Sequence, residues 1–164
     1  MESKIVKSDF KKLNQFLREL EHSADYVVRV GIMGQKNSRP DGHQTNADIG
    51  FVHEYGKPKT AYRPAIPKRS FLRLPLRVKS ELIIQEVQLY IEFMKKKGKL
   101  SLMEILVNFG IACERAIDNA FETGGFGSWK KNTPYTIAHK RGGTKPLIDL
   151  GFLRKSITSE VVKR

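Results

Sequence analysis

One cysteine, no long apolar run, no glycine-rich phosphate loop and a shortage of acidic side chains set the first limits on this chain of 164 residues. Cys113 alone cannot close an intramolecular disulfide, so a reducing compartment is expected and the fold must rest on its core. No stretch approaches the roughly 20 apolar residues of a membrane-spanning helix. The opening "MESKIVKSDF" has no apolar signal-peptide centre, and the expectation is a soluble protein made in the cytoplasm, with no membrane partner. "GGFG" runs into Trp129 and not into a helix bearing Lys-Ser/Thr, which excludes a phosphate-cradling loop of the usual kind. Acid is scarce as well. Seventeen Asp+Glu face thirty Lys+Arg, a net charge of +13, and such a field attracts DNA, RNA or an acidic protein surface with an affinity that falls as salt rises.

What is present suffices for one globular domain over 1–164. A hydrophobic fraction of 40% with 9% aromatics is too high for a chain disordered throughout. "SDFKKLNQFLREL" places Leu13, Phe16, Leu17 and Leu20 at helical spacing behind Ser8 as N-cap. "DYVVRVGIMG" alternates Val28, Val30 and Ile32 against Val27, Arg29 and Gly31, the pattern of a strand. A polar loop with Pro40 and Asp41-Gly42 follows, then a short helix from Asn46 or Ala47 to Tyr55, closed by Gly56 as a left-handed cap. "KPKTAYRPAIPKR" is too rich in proline for a helix interior or a central strand and reads as an exposed arm.

A helical pattern resumes from Ser70 to about Lys97, with Pro75 either kinking it or marking its first turn. "SLME" reads as a capping box of Ser101 and Glu104. The helix behind it places Leu102, Ile105, Leu106, Phe109, Ala112, Cys113, Ala116 and Ala120 on one broad face and ends at Gly124-Gly125. A further short helix is expected near Thr133-Pro134, then a turn of helix in "LIDLGFLRKSIT" and a strand from Ser156 to Val162 pinned by Ile157 and Val161. The expected fold is therefore α+β. A small, mostly antiparallel sheet joins strands near the two ends and packs on two or more long helices, with exposed loops at about 35–46, 57–69 and 124–146.

Catalytic and metal-binding patterns are weak. "HEYG" lacks the second histidine four residues on that a zinc-protease helix needs, since position 57 is Lys. His22, His43, His53 and His139 show no ligand spacing, and Cys113 has the setting of a buried, inert thiol. Asp41, Asp48, Glu54 and Asp149 with Lys140 are the acidic set a metal-dependent nuclease would have to use, but nothing in their spacing ties them together. Neither an enzyme nor a cofactor is expected. The interleaved bases and aromatics of "AYRPAIPKRSFLR" and "SWKKNTPY" suit nucleic-acid contacts or a protein interface.

Three segments, in order, carry a family resemblance: "NADIGFVHEYG", "IPKRSFLR" and "SWKKNTPYTIAHKRGGTKPLIDLGFLRKSIT". Together they resemble the virion morphogenesis or tail-completion proteins of tailed bacteriophages. The matching positions include His53, Glu54, Tyr55, Gly56, Ile66, Pro67, Arg69, Phe71, Leu72, Trp129, Thr136, Ile137, Lys140, Leu147, Asp149, Gly151, Leu153, Ser156 and Ile157. Ser70 and Leu150 depart from the family's proline and threonine. The resemblance implies a small α+β domain without cofactor or catalysis. Its copies form a ring (six being a candidate number) at the head–tail junction of the virion. The implied partners are copies of itself, a tail tube or terminator protein, neck or connector proteins, and DNA passing through the ring as a further candidate. A small DNA- or RNA-binding module is the alternative. On the main reading Gly56 lets the arm project, and Lys57, Tyr62, Arg63, Ile66, Arg69, Phe71 and Trp129 are expected at an interface. Asp149 is expected to cap a helix beginning near Leu150, with Gly151, Leu153 and Ile157 shaping that corner. Reversing the charge of Lys57, Arg63 and Arg69 is expected to spare the monomer fold.

Overall fold

A computed structural model describes residues 25–39 and 44–164, with the isolated Arg18 and Glu21. The apolar positions of the helix expected behind Ser8, and the turn at Pro40-Asp41-Gly42, lie outside the described residues. Strand β1 (Tyr26–Ile32) leads through a 3-10 turn (Gly34–Asn37) to helix α1 (Asn46–Tyr55). After the arm come α2 (Arg73–Val78), α3 (Ser80–Lys96) and the long α4 (Leu102–Thr123). Two short helices, α5 (Pro134–Ala138) and α6 (Phe152–Lys155), precede strand β2 (Ile157–Lys163).

The two strands form an antiparallel pair, from Tyr26 opposite Lys163 to Ile32 opposite Ile157. The fold is α+β, with the sheet joining an early and a late strand as expected. Strand β2 starts one residue late because Ser156 still belongs to the preceding turn, its N–H donating to Phe152 O at 3.0 Å. Side-chain alternation puts Val28, Val30 and Ile32 on one face with Val161, Ser159 and Ile157. Helix α4 packs on both strands and also on α2 and α3. It crosses the sheet so closely that a Cβ on Gly110 would stand 2.5 Å from Ser159 Oγ, so only glycine fits there. Ser159 Oγ also donates to Glu114 Oε1 at 2.6 Å.

Because α4 is covered on two sides, its buried positions are not the single stripe the sequence suggests. Ala112, Cys113 and Ala116 meet Ile83 and Val87 of α3, whereas Ile117, Ala120 and Phe121 turn toward the strands and the motif segments. The first half of the expected stripe is shallower: Leu102, Ile105 and Leu106 are half-buried and Phe109 is exposed. Ser101 occupies the N-cap position without a side-chain cap bond, so the expected capping box is absent there. One does form at α1, where Thr45 Oγ1 accepts from Asp48 N and Asp48 Oδ2 accepts from Thr45 N, both at 3.1 Å. The chain bends at Lys79 and not at Pro75, which sits in the first turn of α2 where its missing N–H has no intrahelical role. Helix α4 ends, as expected, on Gly124 in the left-handed region.

Candidate functional site

The three motif segments meet. At the end of α1, Glu54 is only 4% exposed and accepts five hydrogen bonds from the second segment. Its Oε2 takes Phe71 N at 2.8 Å and Leu72 N at 3.0 Å. Its Oε1 takes Ser70 Oγ at 2.6 Å, Arg73 Nε at 3.0 Å and Arg73 N at 3.3 Å. These N–H groups open α2 and have no partner inside the helix, so one carboxylate both caps it and meets the positive end of its dipole. Burial alone would raise the Glu54 carboxyl. The bonds from Ser70, Leu72 and Arg73 outweigh it and hold the group below the usual carboxylate range.

The second segment grips the third in turn. Arg69 Nε donates to Lys130 O at 2.9 Å, and Nη2 donates to Lys131 O and Asn132 Oδ1, each at 3.3 Å. Trp129 Nε1 donates to Ser70 O at 3.2 Å. Phe71, Phe121 and Trp129 form a chain of rings with centroids 5.6 and 5.7 Å apart. Three expected interface residues are therefore core residues: Phe71 is fully buried, and Trp129 and Arg69 nearly so. Their buried surfaces are spent on holding the motif segments together, and Arg69 also lines a cleft open to the outside.

The arm between the first two segments is a small hairpin. Lys57 and Ile66 exchange both backbone hydrogen bonds at 2.8 Å, and Thr60 N donates to Arg63 O at 2.9 Å. Lys57 and Arg63 are exposed, Tyr62 at the tip is 96% exposed, and Ile66 is half-buried at the root. Arg69 N then donates to His53 O at 2.7 Å and returns the chain to α1. Gly56 is not in the expected left-handed cap geometry. Its φ of 79° and ψ of 171° belong to a region essentially reserved for glycine, and an added Cβ would stand 2.9 Å from Lys68 N. The arm folds back across the helix end and leaves no space there.

Beside this junction lies a cleft of about 250 Å³. The first segment contributes His53, the second Arg69, and the third Thr136, Lys140, Leu147, Asp149, Gly151 and Leu153. These eight positions are matched in the phage-family resemblance, whereas Arg39, Ile49, Asn132, Leu150 and Phe152, which also line the cleft, are not. Asp149 does not cap a helix: its Oδ1 accepts from Arg141 N at 2.7 Å and Gly142 N at 3.3 Å, and α6 begins after Gly151 with no side-chain cap. The loop at Gly142 lies directly on the Asp149 backbone and offers its free N–H groups nearer than the helix does. Those two bonds, led by Arg141 N, hold the Asp149 carboxyl below its ordinary value. Leu153 and Ile157 point inward, both in the main core cluster. His53 Nδ1 is buried with no hydrogen-bond partner among the described residues, and burial first, then the nearby Arg69 charge, depress the imidazole to about 4.

Asp48, Glu54 and Asp149 each cap a separate piece of backbone, and Asp41 lies outside the described residues. Among the described residues no group of three or more His, Cys, Asp or Glu is placed to hold a metal ion. No described helix is long and apolar enough to cross a membrane. The Cys113 thiol is buried, and burial followed by the Glu114 charge pushes it up to about 11, which removes the reactive thiolate. Glu54 and Arg69 are the residues whose roles sequence reasoning missed; both sat in matched motifs, but nothing in the spacing said that they touch each other's neighbours. Comparison with protein-family models, curated proteins and solved structures finds no match to this chain.

Proposed function

We propose that this chain is a non-enzymatic structural protein of a tailed-bacteriophage head–tail junction, one that assembles into a ring and permits heads and tails to join. The observation that carries this reading is the contact between the three resembling segments. Glu54 of the first holds the backbone of the second, and Arg69 of the second holds the backbone of the third. Segments matched by chance have no reason to interlock, and interlocking turns three weak matches into one unit. The same construction releases the arm, which presents Lys57, Lys59, Arg63 and Lys68 without an acidic residue. On this reading the arm and the +13 charge dock copies of the ring on acidic faces of tail and neck proteins, with DNA in the ring as a further contact.

The test is negative-stain microscopy of a lysate made by phage lacking this gene. Filled heads separate from free tails, or tails of irregular length, are the expected outcome. Intact infectious particles would overturn the reading. A steep, salt-dependent affinity of the isolated protein for duplex DNA, together with intact particles, would replace it with a nucleic-acid-binding module.

A further inference from the structure

Arg69 is 7% exposed, and it has no acidic partner among the described residues; its Nε and Nη2 donate to two carbonyls and one amide oxygen, and Nη1 makes no hydrogen bond to a described residue. Burying a guanidinium without a counter-charge is costly, and carbonyl oxygens offset only part of that cost. A second cation makes the imbalance larger. Lys140, half-buried in the same cleft, donates to Lys145 O at 2.5 Å; burial disfavours its charge most, the Asp149 carboxylate favours it, and the Arg69 charge opposes it. The one acidic residue among the cleft's lining, Asp149, already has Oδ1 committed to two backbone N–H groups. His53 is neutral at physiological pH and adds nothing to neutralise. The cleft thus carries an excess of positive charge that the chain's own described groups do not balance. Its other walls mix apolar side chains, among them Ile49, Phe152 and Leu153, with the polar Asn132 and Thr136 and with Arg39, which donates to Asn46 Oδ1 and lies over the Phe152 ring.

We infer that this cleft is a receptor for a carboxylate side chain of a docking protein, with Arg69 and Lys140 as its anion-binding groups. A carboxylate oxygen can accept from Nη1, the end of the guanidinium that the backbone bonds leave over, and the short aliphatic stem of a glutamate suits the apolar part of the walls. A phosphate of duplex DNA fits poorly, because its flanking sugars and bases cannot follow it into a space of about 250 Å³ around a recessed arginine. The exposed arm is where a polyanion backbone makes contact instead. Naming a docking protein as the owner of the carboxylate rests on the structural role proposed above; the site itself does not.

The experiment is a titration of the isotope-labelled chain at fixed ionic strength with glutarate, inorganic phosphate and a short DNA duplex, followed through the Nε–Hε resonance of Arg69. Glutarate is expected to move that resonance, and Lys140→Gln, which touches no core contact, weakens the response about tenfold. Duplex DNA is expected to move only the signals of arm residues such as Arg63. No movement of Arg69 with any of the three would overturn the site. Movement with phosphate or DNA but not with glutarate would overturn its assignment to a carboxylate. If glutarate binds as expected but phage lacking the gene assemble normally, the site stands and the docking protein falls as its source.

Discussion

Arg63 and Arg69 belong to one proline-rich basic segment and are alike as sequence, yet they end in opposite surroundings. Arg63 stands in solvent on the hairpin arm. Arg69 is buried and fastens the second motif to the third. The difference comes from what each stretch of backbone pairs with. The arm closes only on itself, through Lys57 and Ile66, whereas residues 69–73 are held by Glu54, His53 O and Trp129. Positive charge in this chain therefore has two uses, and only the exposed one is available for the long-range attraction that the composition suggests.

The largest separation between the two regions should come from removing Glu54. Glu54→Ala leaves the N–H groups of Phe71, Leu72 and Arg73 and the Ser70 hydroxyl without their acceptor. A cost of about 3–5 kcal/mol is expected, the range for breaking a buried charged network. For a chain of this size that lowers Tm by roughly 10 °C or more, read by calorimetry or circular dichroism. A Tm within about 2 °C of the parent would show that α2 does not depend on this cap.

The next effect is a pH dependence. The folded-state pKa of His53 is depressed from 6.5 to about 4, so the unfolded chain takes up the proton first as pH falls. Stability from this group is complete above pH 6.5 and is lost as pH drops toward 4, by up to about 3 kcal/mol. Glu54, also depressed, adds a loss at still lower pH, below its unfolded value of 4.5. Urea midpoints measured across pH 7 to 4 should show the slope, and His53→Leu should flatten it above pH 4.5. An unchanged slope in that variant would assign the proton to another group.

The strand pattern and the motif centre differ in how legible they were. Val28, Val30 and Ile32 announced a strand because a period of two follows from backbone geometry alone, and the late strand around Ile157 followed the same rule. Helix α4 was legible as a helix but not in its burial, since Ile117 and Phe121 face a second partner that periodicity cannot reveal. The centre was half-legible. The resemblance marked Glu54, Arg69, Phe71 and Trp129, but interface and core call for the same residue types. What separates them is a set of long-range backbone contacts, Glu54 to Leu72 and Arg69 to Lys130, that leave no periodic trace.

A smaller effect tests the hinge between the two regions. Gly56→Ala puts a Cβ 2.9 Å from Lys68 N in a backbone conformation closed to alanine, and about 2 kcal/mol of destabilisation is expected. Because the clash is with the arm's return, hydrogen exchange at Lys57 and Ile66 should rise more than exchange in α4. Uniform protection would mean that the glycine serves the helix end and not the arm.

The smallest effect on stability belongs to the arm itself. Lys57, Lys59 and Arg63 are exposed, and no hydrogen bond or ion pair to their side chains appears among the described residues. Reversing all three to Glu should change stability by less than about 0.5 kcal/mol per site. Adding Arg69→Glu, the residue once grouped with them, should abolish folding instead, since it would place a buried carboxylate against Lys130 O and Lys131 O. On the proposed role the folded triple variant fails to complement phage lacking the gene, so a stability-neutral change becomes a functional one. Normal complementation by that variant would remove the arm from the docking surface and leave the Arg69–Lys140 cleft as the candidate contact.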